Sequence, residues 1–203
     1  MANTVAQRVN NRVKPLLDAA ASQFAAKGYR AATIRDIAAA IDMLPGSVYY
    51  HFSSKHALLL AVYEEGVNLI SSRLDDAVAS ETDPWHRLRK AAEAHLETIL
   101  DQSAYACVMN RVSPDQVPEI EQELIELRGA YEERFVTLFE DLPLQKGVDR
   151  RLLRLMLLGA LNWAQMWYRP DRTPIEEIAR AFVDNLRLPL AQVPQNTGAN
   201  HER

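Results

Sequence analysis

The sequence predicts an all-α fold, and three observations carry that prediction. Long runs rich in Ala, Leu, Glu and Arg dominate a chain of 203 residues that holds only 7 glycines and 10 prolines, a composition that favours helix over sheet. Apolar residues recur at three- and four-residue spacing along most of its length. No segment shows the strict alternation of a half-buried strand, and Pro and Gly fall where helices would start and stop. With 48% hydrophobic residues, the chain can bury one sizeable core or two smaller ones.

The first helix is expected from about residue 8 to Lys27, with Val13, Leu16, Leu17, Ala20, Phe24 and Ala25 on its apolar side and Gly28 as its stop. A second follows Thr33, which with Asp36 fits the Ser/Thr-x-x-acid pattern that satisfies free N–H groups at a helix start. Ile34, Ile37, Ala38 and Ile41 form its apolar face. At about eight residues it is too short to stand alone and must dock.

The stretch "DMLPGSVYYHFSSK", residues 42–55, is then a third short helix. Pro45 suits a first helical turn, where a missing N–H costs nothing. Val48 and Phe52, four apart, point inward, so Ser47, Tyr49, Tyr50 and His51 fall on other faces. Two short helices joined by a tight turn make a helix-turn-helix. Asp42 sits in that turn, and Asp accepts positive φ better than most residues.

A long helix is expected over about 56–79, then one from Pro84 to near Leu100. The segment "YACVMNRVSPDQVP" holds two prolines and should turn twice. Further helices are expected over 118–141, 148–168 and 174–187. The tail from about 190 has low hydrophobicity and no period, which predicts disorder. The domain division that follows is 1–56 and 57–203.

Charge divides at the same place. Residues 1–56 carry seven Lys/Arg against three acids, net +4, while the remainder carries 16 bases and 24 acids, net −8. A basic head on an acidic body suits a polyanionic partner. The single cysteine, Cys107, excludes an intrachain disulfide and suits a reducing compartment. No signal-peptide core opens the chain and no apolar run is long enough to cross a membrane, so no membrane partner and a cytoplasmic location are expected.

From Thr33 to Leu58 the chain resembles the TetR family of bacterial transcription regulators. That family shows Thr-x-x-x-Ile-Ala, a turn, Gly-Ser/Thr-apolar-Tyr-x-His/Tyr-Phe, a spacer and Lys-x-x-Leu. Here Thr33, Ile37, Ala38, Gly46, Ser47, Val48, Tyr49, His51, Phe52, Lys55 and Leu58 stand at those positions. Two departures are visible: Ile41-Asp42 replaces the usual glycine turn, and Met43-Leu44 replaces the commoner Val-Ser and its Ser cap. The resemblance implies a regulator, commonly a repressor, that binds double-stranded operator DNA as a homodimer. It assigns phosphate contacts to Thr33, Arg35, Tyr49, Tyr50, His51 and Lys55, places Pro45, Gly46 and Ser47 at the tip of a helix in the major groove, and puts Tyr50 within reach of a thymine methyl. No Arg, Asn or Gln lies within residues 42–54. Bidentate reading of guanine or adenine from this helix is therefore absent, and phosphate contact and DNA shape should dominate.

The resemblance also implies a body that dimerises and binds a small effector. "RRLLRLMLLGALNWAQMWY" is apolar on more than one face and needs cover on both. With "IEEIARAFVDNL" it suits an intersubunit four-helix bundle through Leu153, Leu157, Ala160, Leu161, Ile175, Ile178 and Phe182. Candidate effector contacts are His95, Leu96, Ile99, Met109, Arg111, Tyr131, Phe135, Trp163 and Trp167. The variant "MLPGSVYYHF" resembles family members that regulate lipid and steroid catabolism, which implies an acyl-CoA or lipid-like effector, with Arg111 or Arg128 meeting an anion.

An enzyme reading finds no support: the five histidines lack metal-ligand spacing, and there is no Gly-rich phosphate loop or nucleophile elbow. Neither cofactor nor metal is expected. The alternative function is a helical protein-interaction adaptor without DNA binding, which a salt-dependent mobility shift on DNA separates from the regulator.

Overall fold

The computed structural model describes residues 2–187, with the backbone alone over 2–11; the expected disordered tail lies outside the described residues. Nine α-helices occur among them: α1 (Ala2–Lys27), α2 (Ile34–Ala39), α3 (Pro45–His51), α4 (Lys55–Val78), α5 (Pro84–Leu100), α6 (Ala104–Arg111), α7 (Glu121–Glu140), α8 (Arg150–Trp167) and α9 (Ile175–Arg187). Two short 3-10 turns, Pro114–Gln116 and Pro118–Ile120, each begin at a proline and separate α6 from α7. The expected single helix over 118–141 thus starts with a 3-10 turn at Pro118–Ile120 before α7 begins at Glu121. The helix α1 begins earlier than expected; Ala2–Gln7 holds Val5 as its one large apolar residue, too few for a stripe to announce it.

The three N-terminal helices close around Leu16, Ala20, Phe24, Ile37, Ala38 and Val48, all essentially inaccessible to solvent. Gly28 ends α1 at φ 78°, with its N–H donated to the Phe24 carbonyl at 2.9 Å. That left-handed turn reverses the chain toward α2. Long α4 begins beside this cluster and runs into the C-terminal bundle, where it packs on α5 and α7. Helix α5 is the central strut: it meets α4, α6, α7, α8 and α9, and Leu88, Ala91, Ala92 and Leu96 are fully buried. Charged ties brace the periphery, including Arg87–Asp141 at 2.6 Å, Arg89–Asp184 at 3.0 Å and Arg134–Asp75 at 2.9 Å. Among the described residues no helix is long and apolar enough to cross a membrane.

Candidate functional site

The start of α2 is held by a reciprocal cap. Thr33 Oγ1 accepts from the Asp36 N–H at 3.1 Å, and the Asp36 carboxylate accepts from the Thr33 N–H at 3.0 Å and its hydroxyl at 2.7 Å. These Thr33 bonds, with Lys27 at 3.0 Å, lower the Asp36 carboxyl to about 2. Asp42 takes φ 52°, the left-handed conformation that the turn requires. Pro45 stands in the first turn of α3, but the N-cap residue Leu44 makes no side-chain cap bond. Val48 anchors α3 with no exposure, while Leu44 is 76% and Tyr50 77% exposed.

Tyr49, Gly46 and Arg35 also face solvent; Pro45, Ser47 and His51 are half-buried, His51 lying edge-on to Tyr50. The exposed end of a two-turn helix, carrying hydroxyls and apolar groups beside a capped helix start, is shaped for a groove of duplex DNA. Lys55 is engaged differently from the phosphate contact expected of it. Its ammonium donates to the Arg30 carbonyl at 3.2 Å and lies 4.4 Å from the centre of the Tyr29 ring, and burial lowers its pKa. It ties the α1–α2 connection to the first turn of α4.

A cavity of about 260 Å³ opens between α4, α5, α6, α7 and α8. Tyr63, Val67, Ile70, Thr98, Ile99 and Ala106 make most of its inner wall, and Asn110, Arg128, Glu132, Asn162 and Gln165 its polar mouth. Of the expected effector contacts, His95, Ile99, Met109 and Tyr131 line it. Four do not. Phe135 is fully buried behind His95, edge-on at 5.6 Å; Trp163 and Trp167 face outward from α8; Arg111 lines a separate cleft with Lys27 and Arg30. Leu96 is likewise buried core rather than cavity wall. Helical period assigned Trp163 and Trp167 to a face, but α8 is apolar on both faces, so period could not tell inward from outward.

His95 is 6% exposed and bonded at both ring nitrogens, Nδ1 to Tyr131 Oη at 2.8 Å and Nε2 to Asn162 Oδ1 at 3.1 Å. Burial pulls its pKa from 6.5 to about 4, only partly opposed by the Asn162 bond. The ring is therefore neutral at pH 7, with Nε2–H donating to Asn162 and Nδ1 accepting from Tyr131. Burial raises the Tyr131 hydroxyl well above its ordinary value, which keeps it a donor. Arg128 is already bonded to Tyr63 Oη at 2.5 Å and to the Met109 and Val112 carbonyls at 3.3 and 3.1 Å. The inner wall thus offers a ligand neutral polar groups and apolar surface.

Helix α6 links this cavity to α1. Ala106, Met109 and Asn110 face the cavity. From the same eight residues, Tyr105 donates to Asp18 at 2.8 Å and Arg111 donates to the Ala25 carbonyl at 2.8 Å. Lys14 completes the contact, reaching Asp18 at 2.5 Å and Tyr105 at 3.3 Å. Burial and the Asp18 bond push the Tyr105 hydroxyl up to about 12. On the other side, α4 passes α6 at Gly66, where an added Cβ would lie 2.6 Å from Met109 Sδ.

Helix α8 presents a solvent-facing strip of Leu152, Leu155, Met156, Trp163, Met166 and Trp167. The expected partner contacts need correction here. Leu157, Leu161 and Ile178 are buried within their own chain, whereas Ala160 is exposed and Leu153, Ile175 and Phe182 are half-buried. The apolar face left unpartnered is the one opposite to Leu157 and Leu161, with Gly159 at its centre.

The fold and these sites define a class: a two-part helical regulator with a helix-turn-helix for DNA and a ligand-accepting bundle. Comparison with known proteins gives the family. Residues 16–62 match the model for bacterial regulatory proteins of the tetR family, and residues 81–189 match the tetracyclin repressor-like C-terminal domain. The chain belongs to the TetR family and is a TetR-type transcriptional regulator. It is similar to the HTH-type transcriptional repressor KstR2 of Mycobacterium tuberculosis, 29% identical over 171 residues that cover 82% of this chain and 86% of the relative. It is also similar to the HTH-type transcriptional activator FasR of Mycolicibacterium smegmatis, 30% identical over 167 residues, 80% of this chain and 74% of the relative. The fold is shared with AibR, solved in complex with isovaleryl coenzyme A and operator DNA: TM-score 0.69, 23% identity, 86% of this chain and 97% of that one.

Proposed function

We propose that the chain is a cytoplasmic repressor rather than an enzyme, with residues 1–56 reading a palindromic operator and residues 57–203 forming a homodimer and binding an effector. The observation that carries this reading is the dual role of α6, which walls the cavity with Met109 and bonds α1 through Tyr105 and Arg111. A ligand that displaces Met109 shifts α6, and α6 holds α1. The spacing of two DNA-reading helices in a dimer then differs between free and bound states, which is the differential contact that coupling requires.

The effector is a small apolar or acyl-CoA-like molecule. A cavity of about 150 Å³ accommodates benzene, so 260 Å³ suits a short acyl chain or a small ring system. The polar mouth at Asn110, Arg128 and Asn162 then meets the thioester and whatever extends beyond it. AibR, whose structure holds isovaleryl coenzyme A, supports a short acyl group by analogy of fold. The solvent-facing strip of α8 supports a dimer built on Met156, Gly159 and Trp163.

Native mass spectrometry of the purified chain tests the reading. It should find a bound apolar ligand at one copy per protomer, absent from a Val67→Phe variant whose ring fills the cavity, and that ligand should release DNA from the wild type. A ligand retained by Val67→Phe, or one without effect on DNA affinity, would contradict it.

A further inference from the structure

The residue that opens α3 costs the free protein stability. An N-cap position favours Ser, Thr, Asp or Asn, because a side-chain oxygen there accepts from a free backbone N–H. Leu44 occupies it, offers no such bond and buries little of its own surface, being 76% exposed. Scattered exposed leucines are ordinary on protein surfaces. Leu44 differs in standing at the leading end of the helix that enters the groove, where residues touch base edges. The same molecule caps its other short helix at Thr33 and its long helices at Ser54 and Asp83 with side-chain acceptors. Helix α7 also starts without a side-chain acceptor, at Ile120, but Ile120 is 6% exposed and joins the core, whereas Leu44 gains no such burial.

Its surroundings narrow what Leu44 can meet. Between residues 42 and 54 there is no Arg, Asn or Gln, so the strongest polar base readers are missing from α3. Gly46 has open space where a side chain would project, which lets the backbone of the tip approach closely. Apart from the half-buried Ser47 hydroxyl, what the tip then offers a base edge is apolar, and the one apolar feature on the major-groove floor is the 5-methyl group of thymine. We propose that Leu44 is a specificity-determining residue that packs its side chain against a thymine methyl in each half-site. Burial of that methyl on DNA binding offsets the missing cap. The inference rests on the DNA-reading role of α3.

Deoxyuridine differs from thymidine only by this methyl group. Duplexes that the full-length chain retains from a random pool are resynthesised with deoxyuridine at each thymine in turn, and affinity is read by fluorescence anisotropy. One position per half-site should weaken wild-type binding about fourfold, and symmetric replacement about fifteenfold, the loss expected for one buried methyl per half-site. Leu44→Ser supplies the missing cap acceptor, so its thermal midpoint should equal or exceed that of the wild type. It should nevertheless bind thymine and uracil forms of the site with affinities within about twofold of each other. Wild-type indifference to deoxyuridine at every position would overturn the assignment to Leu44 while leaving the DNA-reading role intact. So would discrimination that persists in Leu44→Ser, which would move the contact to Tyr50. Recovery of no duplex at all would overturn the DNA-reading role and this proposal with it.

Discussion

Replacing His95 by Gln should remove a pH dependence that the buried ring imposes on folding. Burial lowers the imidazole from 6.5 to about 4 in the folded chain. The unfolded chain therefore takes up this proton first as pH falls. Stability from the neutral, doubly bonded ring is complete above about pH 6.5 and is lost progressively toward pH 4. At about 1.4 kcal/mol per pH unit, the difference is about 3 kcal/mol across that window. In His95→Gln an amide N–H can still donate to Asn162 Oδ1, yet nothing titrates there. Urea unfolding at fixed protomer concentration, from pH 7 to pH 4, compares the two chains. Their stability difference should change by about 3 kcal/mol in favour of the variant as pH falls. Other titrating groups are common to both chains and cancel. A difference that stays constant with pH, or a His95 ring whose NMR shifts titrate above pH 6, would refute the buried neutral ring.

Three further perturbations follow from the geometry. Gly66→Ala should leave stability within about 1 kcal/mol, because the gain in helix propensity offsets the displacement of the flexible Met109 side chain; by calorimetry it should weaken effector binding, as Met109 moves into the cavity. Trp163→Glu, at a solvent-facing position, should leave far-UV circular dichroism unchanged while weakening self-association at least about thirtyfold by sedimentation. Asp42→Gly should stabilise the chain by up to about 1 kcal/mol and Asp42→Val destabilise it by about 1–2 kcal/mol in thermal unfolding, because φ 52° strains a branched side chain and not glycine.

The helix-turn-helix was legible because local chemistry and tertiary structure agree there. Thr33 and Asp36 announced a cap that forms, Pro45 a helix start that forms, and Asp42 a left-handed turn that forms. Lys55 was legible as a cation but not as a strut, since its partner, the Arg30 carbonyl, lies 25 residues away and leaves no pattern in sequence. The register of α8 was hidden for another reason: Leu157 and Leu161 on one side and Met156 and Trp163 on the other are equally apolar, so the positions of α5, α7 and α9 decide which pair is core. The cavity draws three residues from each of five helices, and Tyr63, Val67 and Asn162 escaped the sequence reading. One signal was available. Gly66, alone in the middle of the long helix α4, marks the place where Met109 of α6 comes close.

The measurement that tests the central claim most directly is the salt dependence of binding to a duplex selected by the full-length chain. A two-fold pair of heads contacting phosphates predicts one duplex per two protomers and a logarithm of affinity that falls linearly with the logarithm of salt, at a slope of about −0.9 per phosphate neutralised. Tyr50→Ala should weaken binding without unfolding the chain, since Tyr50 is exposed. A folded chain that selects no duplex at low salt, or whose affinity is indifferent to both salt and Tyr50, would contradict the account.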